Sequence, residues 1–248
     1  MEASAALRTQ GLTRRFGGLV AVNDVSLACH RGRPHAVIGP NGAGKTTLIN
    51  LLSGDLAPSA GRVLMQEREV TGLPSHRISR LGVGRSYQRT NVFMGFTVFE
   101  NCRLAAQSRL PSSMRFLRPA ARYEEVNAAA ERALDLTDLK TQKGKAASAL
   151  SHGERRQLEL AMTLATAPSV LLLDEPLAGM GAEEAARMVE LLRRLAPAHA
   201  MLLVEHDMDA VFALAAVLTV MVDGRVLASG APAEIRANAQ VQEAYLGE

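Results

Sequence analysis

Nine consecutive residues, Gly39-Pro40-Asn41-Gly42-Ala43-Gly44-Lys45-Thr46-Thr47, set three glycines, a lysine and two hydroxyls in the spacing G-x-x-x-x-G-K-[ST]. That spacing wraps main-chain N–H groups around phosphates. Glycines at 39, 42 and 44 let the backbone turn those groups inward, and a helix opening near Lys45 adds unpaired amides and the positive end of its dipole. Lys45 is expected to reach the β and γ phosphates, and the Thr46 hydroxyl to ligate Mg²⁺. The expected ligand is a nucleoside triphosphate with its magnesium ion. A second group of candidates follows an apolar run, Val170-Leu171-Leu172-Leu173, which ends in Asp174-Glu175. A carboxylate at position 174 suits direct or outer-sphere contact with magnesium opposite Thr46, and Glu175 can position or polarise the attacking water. His206, just beyond the run 201–204 and Glu205, is aimed at the same edge. There it can sense the γ-phosphate by hydrogen bonding, with acid–base work chemically open to it as well.

These residues need strands to deliver them and helices to back them. The loop 39–47 lies between the apolar run Ala36-Val37-Ile38 and a helix-like run through Leu48, Ile49, Leu51 and Leu52. This is the strand–loop–helix setting the motif requires. The run 170–173 reads as a buried parallel strand, 201–204 as another, with helices over 183–195 and after Asp207 between and beyond them. A hairpin over 217–229 turns at Asp223-Gly224. Ahead of the loop, residues 7–16 and 20–29 read as two strands around Gly17-Gly18; beyond it, 63–65 reads as another short strand. Residues 82–88 form a further strand leading out of the core. From 97 to 150 the pattern is helical, with an alanine-rich stretch at 127–136 broken around Pro111 and Pro119. One or two short helices follow Pro232. The fold expected is α/β: a phosphate-loop core with a helical subdomain and an antiparallel N-terminal β layer.

Ser151 and Glu154 stand three apart before the apolar series Leu158, Ala161, Met162 and Ala165, which predicts a capping box opening an amphipathic helix. As a cap the pair needs no chemical role. The same Ser151 and Gly153 at an exposed helix start also make a phosphate-binding surface.

Composition narrows the function classes. A chain of 248 residues, 48% hydrophobic, can bury a large core. Its 28 basic and 25 acidic residues give a formal charge of +3, a mixed surface rather than the concentrated basic field of a nucleic-acid binder. Cys29 and Cys102 lack metal-ligand spacing and indicate neither a disulfide framework nor a zinc site. No apolar run approaches the roughly 20 residues needed to cross a bilayer, so membrane association is expected through a partner.

Taken in chain order, these motifs resemble the nucleotide-binding subunit of ABC transporters over nearly the whole length. Residues 39–47 resemble its Walker A loop, Gln88 its Q-loop glutamine, Leu150-Ser151-His152-Gly153-Glu154 its signature, residues 170–175 its Walker B segment, His206 its switch histidine, and Phe16 the aromatic that stacks on adenine. The resemblance implies a single ABC ATPase domain over 1–248, with a helical signature subdomain at about 97–165 inserted in the nucleotide-binding core. It implies ATP and Mg²⁺ as ligands, with Gln88 joining Thr46 and Asp174 around the metal and acting beside Lys45, Glu175 and His206 in hydrolysis. It further implies a head-to-tail pair in which ATP lies between the Walker A loop of one subunit and Ser151 and Gly153 of the other.

A finer likeness is to the ATPase subunits of branched-chain amino acid importers. It is carried by Phe16-Gly17-Gly18-Leu19-Val20-Ala21-Val22, the segment 150–156, Ala178-Gly179-Met180, Glu205-His206-Asp207-Met208 and Glu243-Ala244-Tyr245-Leu246-Gly247. The partners so implied are a second ATPase subunit, identical or paralogous, two transmembrane permease subunits and an extracytoplasmic solute-binding protein, with no nucleic acid. The implied location is peripheral, on the cytoplasmic face of a bacterial or archaeal plasma membrane. Urea, short amides and aromatic acids are alternative cargoes, and a soluble ABC-type ATPase remodelling a macromolecular complex is the alternative function. Against the family pattern, His152 and Glu154 replace the commoner glycine and glutamine. Gly181 stands where many relatives carry aspartate or asparagine, and residues 107–123 look individual to this chain.

Overall fold

Two sheets share the work of positioning the candidate residues. In the computed structural model, which describes residues 5–87, 91–110 and 122–243, the chain opens with β1 (Leu7–Phe16), β2 (Leu19–Val25), β3 (Ala28–Cys29) and β4 (His35–Ile38). Helix α1 (Lys45–Ser53), strands β5 (Ala60–Met65) and β6 (Arg68–Glu69), helix α2 (Ser75–Arg80) and strand β7 (Val83–Arg85) follow. Three helices come next, α3 (Val98–Gln107), α4 (Glu124–Leu136) and α5 (His152–Ala165), packed on one another. The last third alternates: β8 (Val170–Asp174), α6 (Ala182–Leu195), β9 (Ala200–Val204), α7 (Met208–Leu214), β10 (Val217–Val222), β11 (Arg225–Gly230) and α8 (Pro232–Ala237). The proline-broken stretch around 111–119 and most of the C-terminal motif at 243–247 lie outside the described residues.

The larger sheet has the order β11-β10-β4-β9-β8-β7. It is parallel from β10 to β7, with β11 antiparallel at one edge. Strands β4, β8 and β9 are buried at every position, the pattern of parallel strands covered on both faces. Their alternate residues feed two cores. Ile38, Leu171, Leu173 and Leu203 pack with α3 to α7, whereas Val37, Leu172, Leu202 and Val204 pack with α1 and the smaller sheet. That smaller sheet pairs β1 antiparallel with β2, β3 and β5, and β5 with β6, which is the expected N-terminal layer. The β10–β11 turn falls at Asp223 and Gly224, with φ 48° and 77°, as a tight hairpin with two left-handed residues requires.

The sequence pattern gave one strand over 20–29; the structure divides it. Strand β2 stops at Val25 and β3 starts at Ala28, because two hydroxyls intercept the ladder. The Thr9 hydroxyl donates to Val25 O (3.0 Å) and accepts from Leu27 N (2.9 Å), and Ser26 Oγ accepts from Gly11 N (2.9 Å). Side-chain bonds of this kind replace main-chain ones and bulge the strand.

Helices α3 and α5 both start on capping boxes. Ser151 accepts from Glu154 N at 3.2 Å while Glu154 accepts from Ser151 N at 2.7 Å. That second bond is the first cause of a Glu154 carboxyl held below its ordinary range. Thr97 and Glu100 repeat the arrangement at α3, a box the sequence pattern did not single out.

A buried histidine links the sheet to pH. His35 is 2% exposed. Its Nδ1 lies 3.1 Å from Ala28 O, and its Nε2 2.7 Å from Thr219 Oγ1, which in turn meets Ser229 Oγ at 2.7 Å. A carbonyl only accepts, so Nδ1 carries the proton and Nε2 accepts from Thr219. Burial lowers the imidazole's pKa from its ordinary 6.5, with the charges of His30 and Arg33 adding to the drop. The unfolded chain therefore takes the proton first, and stability falls as pH drops below about 6.5. In urea titrations at pH 7.5 and 5.5 the parent should lose more stability than His35→Gln; equal losses would remove His35 from the acid response.

Candidate functional site

The loop between β4 and α1 is pressed so closely against its neighbours that glycine is required twice. At Gly39 (φ 153°) a Cβ would sit 2.1 Å from Met221 O, and at Gly44 (φ 95°) 2.2 Å from Ala21 O. Both contacts are with backbone, which cannot swing aside. Ala43 is 2% exposed, donating to Pro40 O at 3.2 Å and accepting from Gly224 N at 3.1 Å, so it anchors the loop to the hairpin. Asn41, Gly42 and Thr46 are exposed and Thr47 half-buried. Helix α1 carries no acidic side chain in its first turn, so nothing there offsets the positive dipole end that favours an anion. Lys45 Nζ donates to Gly39 O (2.6 Å) and Pro40 O (2.9 Å). Burial lowers the Lys45 pKa, opposed by the charges of Glu175 and Asp174, which places all three in one electrostatic neighbourhood. Phe16 closes β1, with the Arg14 guanidinium 4.6 Å from its ring centroid.

Asp174 ends β8 and is 1% exposed. Its Oδ2 lies 3.6 Å from Arg85 Nη2, while its Oδ1 is buried without a hydrogen-bond partner. Burial raises its pKa; Arg85 opposes this and the Glu175 charge adds to it. A buried, unpartnered carboxylate oxygen calls for an explanation. A hard cation that prefers oxygen ligands supplies one, with Thr46 at the start of α1 offering a hydroxyl. Arg85 is held by Asp55 Oδ2 (2.6 Å) and Ser53 Oγ (2.8 Å) as well, and its guanidinium lies 4.6 Å from the Tyr87 ring centroid. The β7–β8 edge is thereby pinned to the end of α1.

Glu175 has φ 50°. A non-glycine residue in this region costs on the order of 1–3 kcal/mol and persists only where neighbours fix it. Here Glu175 N donates to Val204 O (2.9 Å) and Ala178 N donates to Glu175 O (3.1 Å). Since Asp174 pairs with Val204 across the sheet, β9 brings His206 to the same C-terminal edge. His206 is exposed, with Nδ1 3.9 Å from Glu205 Oε2. Gln88 lies outside the described residues; the strand leading toward it, β7, runs parallel to β8.

Ser151 and Gly153 lie apart from this edge, at the start of α5. Ser151 Oγ is 3.2 Å from Glu184 Oε1. A Cβ on Gly153 would meet the Glu184 carboxyl at 2.6 Å, so a carboxylate of the same chain covers this helix start. His152 Nε2 lies 3.1 Å from Ala178 O, joining α5 to the loop that follows Glu175. Gly181 caps α6 at φ −71° with open space around its Cβ position; its backbone does not demand glycine. The sequence pattern passed over Arg85, Glu184 and Glu205. Only Glu205 left a signal, as a charge closing a wholly apolar strand.

A mostly parallel sheet carrying a phosphate loop at one strand end and a carboxylate pair at another defines the class: a P-loop nucleotide-binding ATPase. The family pattern described as "ABC transporter" matches residues 22–178, and that described as "Branched-chain amino acid ATP-binding cassette transporter" matches residues 225–248. Over 98% of both chains the protein is 40% identical to the high-affinity branched-chain amino acid transport ATP-binding protein LivG of Salmonella typhimurium, and 39% identical to BraF of Pseudomonas aeruginosa. An ATP-binding cassette of an ABC transporter solved in its ADP conformation superposes with a TM-score of 0.89 at 28% identity, covering 99% of this chain and 100% of that one. The chain belongs to the ABC transporter family of ATP-binding proteins, and is a transporter ATPase. None of its described helices is long and apolar enough to cross a membrane.

Proposed function

We propose that this protein is the ATP-hydrolysing subunit of an importer for branched-chain amino acids or a related small polar solute. The observation that carries the hydrolytic half is the convergence of Lys45, Asp174 and Glu175 on one sheet edge, with a buried Asp174 oxygen left unpartnered. The cargo half rests on the similarity to LivG and BraF and on the C-terminal match. The whole chain acts as one ATPase domain, with residues 97–165 as its helical signature subdomain.

Phe16 stacks on the adenine. The main chain of 41–47 and Lys45 hold the phosphates, and Glu175 orients a water in line with the γ-phosphorus. Attack of the water oxygen breaks the bond to the bridging oxygen and leaves ADP and phosphate, with Lys45 opposing the charge that develops. Mg²⁺, when bound, neutralises phosphate charge, and Thr46, Asp174 and Gln88 are the residues that would hold it. His206 reads the γ-phosphate. In a head-to-tail pair, Ser151 and Gly153 meet the partner's nucleotide, displacing Glu184.

A cleft of about 240 Å³ between α2, β7 and α5, lined by Ser79, Val83, Tyr87, Asn91, Met162 and Thr166, suits a helix of a permease subunit. Next to Asn91, Phe93 and Phe96 are exposed and stacked 5.4 Å apart, the kind of apolar surface that a partner covers. Two permease subunits, a second ATPase and an extracytoplasmic binding protein complete the importer, with this chain on the cytoplasmic face of the membrane. Affinity purification from gently solubilised native membranes, read by mass spectrometry, should recover those partners. Recovery of soluble complexes alone would sink the transport reading.

A further inference from the structure

The buried carboxylate of Glu205 has no part in the reaction above, yet it joins the two turns on which that reaction depends. Glu205 is 1% exposed. Its Oε1 accepts from Leu177 N at 2.9 Å, two residues past Glu175, and its Oε2 accepts from His206 N at 3.1 Å. We propose that Glu205 is a positioning residue for hydrolysis, whose two oxygens tie the turn after Glu175 to the turn at His206 so that the water-orienting carboxylate and the γ-phosphate sensor move as one piece. The inference rests on the roles given to Glu175 and His206 above.

Three observations support it. The first is that Glu175 sits at φ 50°, a conformation that survives only when the chain on either side is fixed. Its own N–H is held by Val204 O, and Leu177 is held by Glu205, so consecutive residues of one strand end brace it before and after. The second is the far side of His206. Asp207 caps α7 through Oδ1 accepting from Ala210 N at 3.1 Å, which leaves the His206 turn anchored at both ends. The third is chemical. Burying a carboxylate is costly unless donors satisfy it, and burial does raise the Glu205 pKa, opposed first by the Leu177 N–H and then by those of His206 and Asp207. A glutamine would offer one acceptor and turn its NH₂ toward a main-chain N–H, so only a carboxylate serves both turns.

The test is a double-substitution cycle on ATP turnover: parent, Glu205→Gln, His206→Ala, and both together, each rate normalised to the nucleotide-binding fraction. Glu205→Gln should lower kcat by about ten-fold or more with KM for ATP within about two-fold, since it acts after binding. Residues that act through one connection are not additive. The double variant should therefore lie no more than about two-fold below the worse single one. Losses that multiply, or parental kcat in Glu205→Gln, would overturn the proposal. A parental rate in His206→Ala alone would instead remove the sensor role on which it rests. If Glu205→Gln does not fold, Glu205→Asp enters the same cycle. Its shorter carboxylate cannot reach both turns, and the same non-additivity is expected.

Discussion

Glu175→Gln is expected to bind ATP with close to parental affinity while phosphate release slows by about 10²–10⁴-fold, the usual contribution of a positioned general base. The substitution keeps the shape of the side chain and removes its charge. Glu175 is only half-buried, and the bonds that fix its unusual backbone use its main-chain atoms, to Val204 and Ala178. Folding should therefore be unaffected, and the loss assignable to chemistry. Because ATP would persist between two subunits, the variant should also accumulate as an ATP-dependent dimer, visible by light scattering after gel filtration. Phosphate release at the parental rate would refute the water-positioning role.

Asp174→Asn probes the other half of the carboxylate pair. Asparagine is close in shape but leaves only one oxygen and no charge at the place where Oδ1 is unpartnered. The Mg²⁺ concentration for half-maximal turnover should rise at least about ten-fold, while nucleotide affinity in the presence of a chelator should hold or improve, since a negative charge beside the phosphates is gone. Calorimetric titration with and without Mg²⁺ separates these effects without reference to turnover. The fold should tolerate the change. Arg85 keeps Asp55 at 2.6 Å, and a carboxyl whose pKa burial pushes up is released from that burden. An unchanged Mg²⁺ dependence would take Asp174 out of the metal site.

What could be read from the residues alone follows what local chemistry controls. Strand β8 was legible because four apolar residues end in a charge, the capping box at Ser151 because its spaced pair precedes a helical apolar series, and the β10–β11 hairpin because Asp-Gly permits two left-handed residues. Each signal lies within a few residues of its effect. The split between β2 and β3 was not legible, because it is made by Thr9, sixteen residues from the carbonyl it captures. Strand order escaped for the same reason: nothing within β4 states that its neighbours are β10 and β9. At the candidate site, Lys45 stood out by its place in the glycine-rich spacing, and Asp174, Glu175 and His206 because each follows closely on an apolar run. Arg85 and Glu184 did not, since their significance comes from partners 30 or more residues away, Asp55 and Ser151.

The division of the interior by the larger sheet has a consequence for how the protein melts. Leu171 and Leu172 are sequence neighbours in one strand, yet they belong to different hydrophobic cores, as do Leu202 and Leu203. Loss of order on either side strips the cover from strands whose other face still holds the opposite side together. The helical half and the phosphate-loop half are thus bound into one cooperative unit, and a nucleotide gripped on one side of the wall guards the helices on the other against heat.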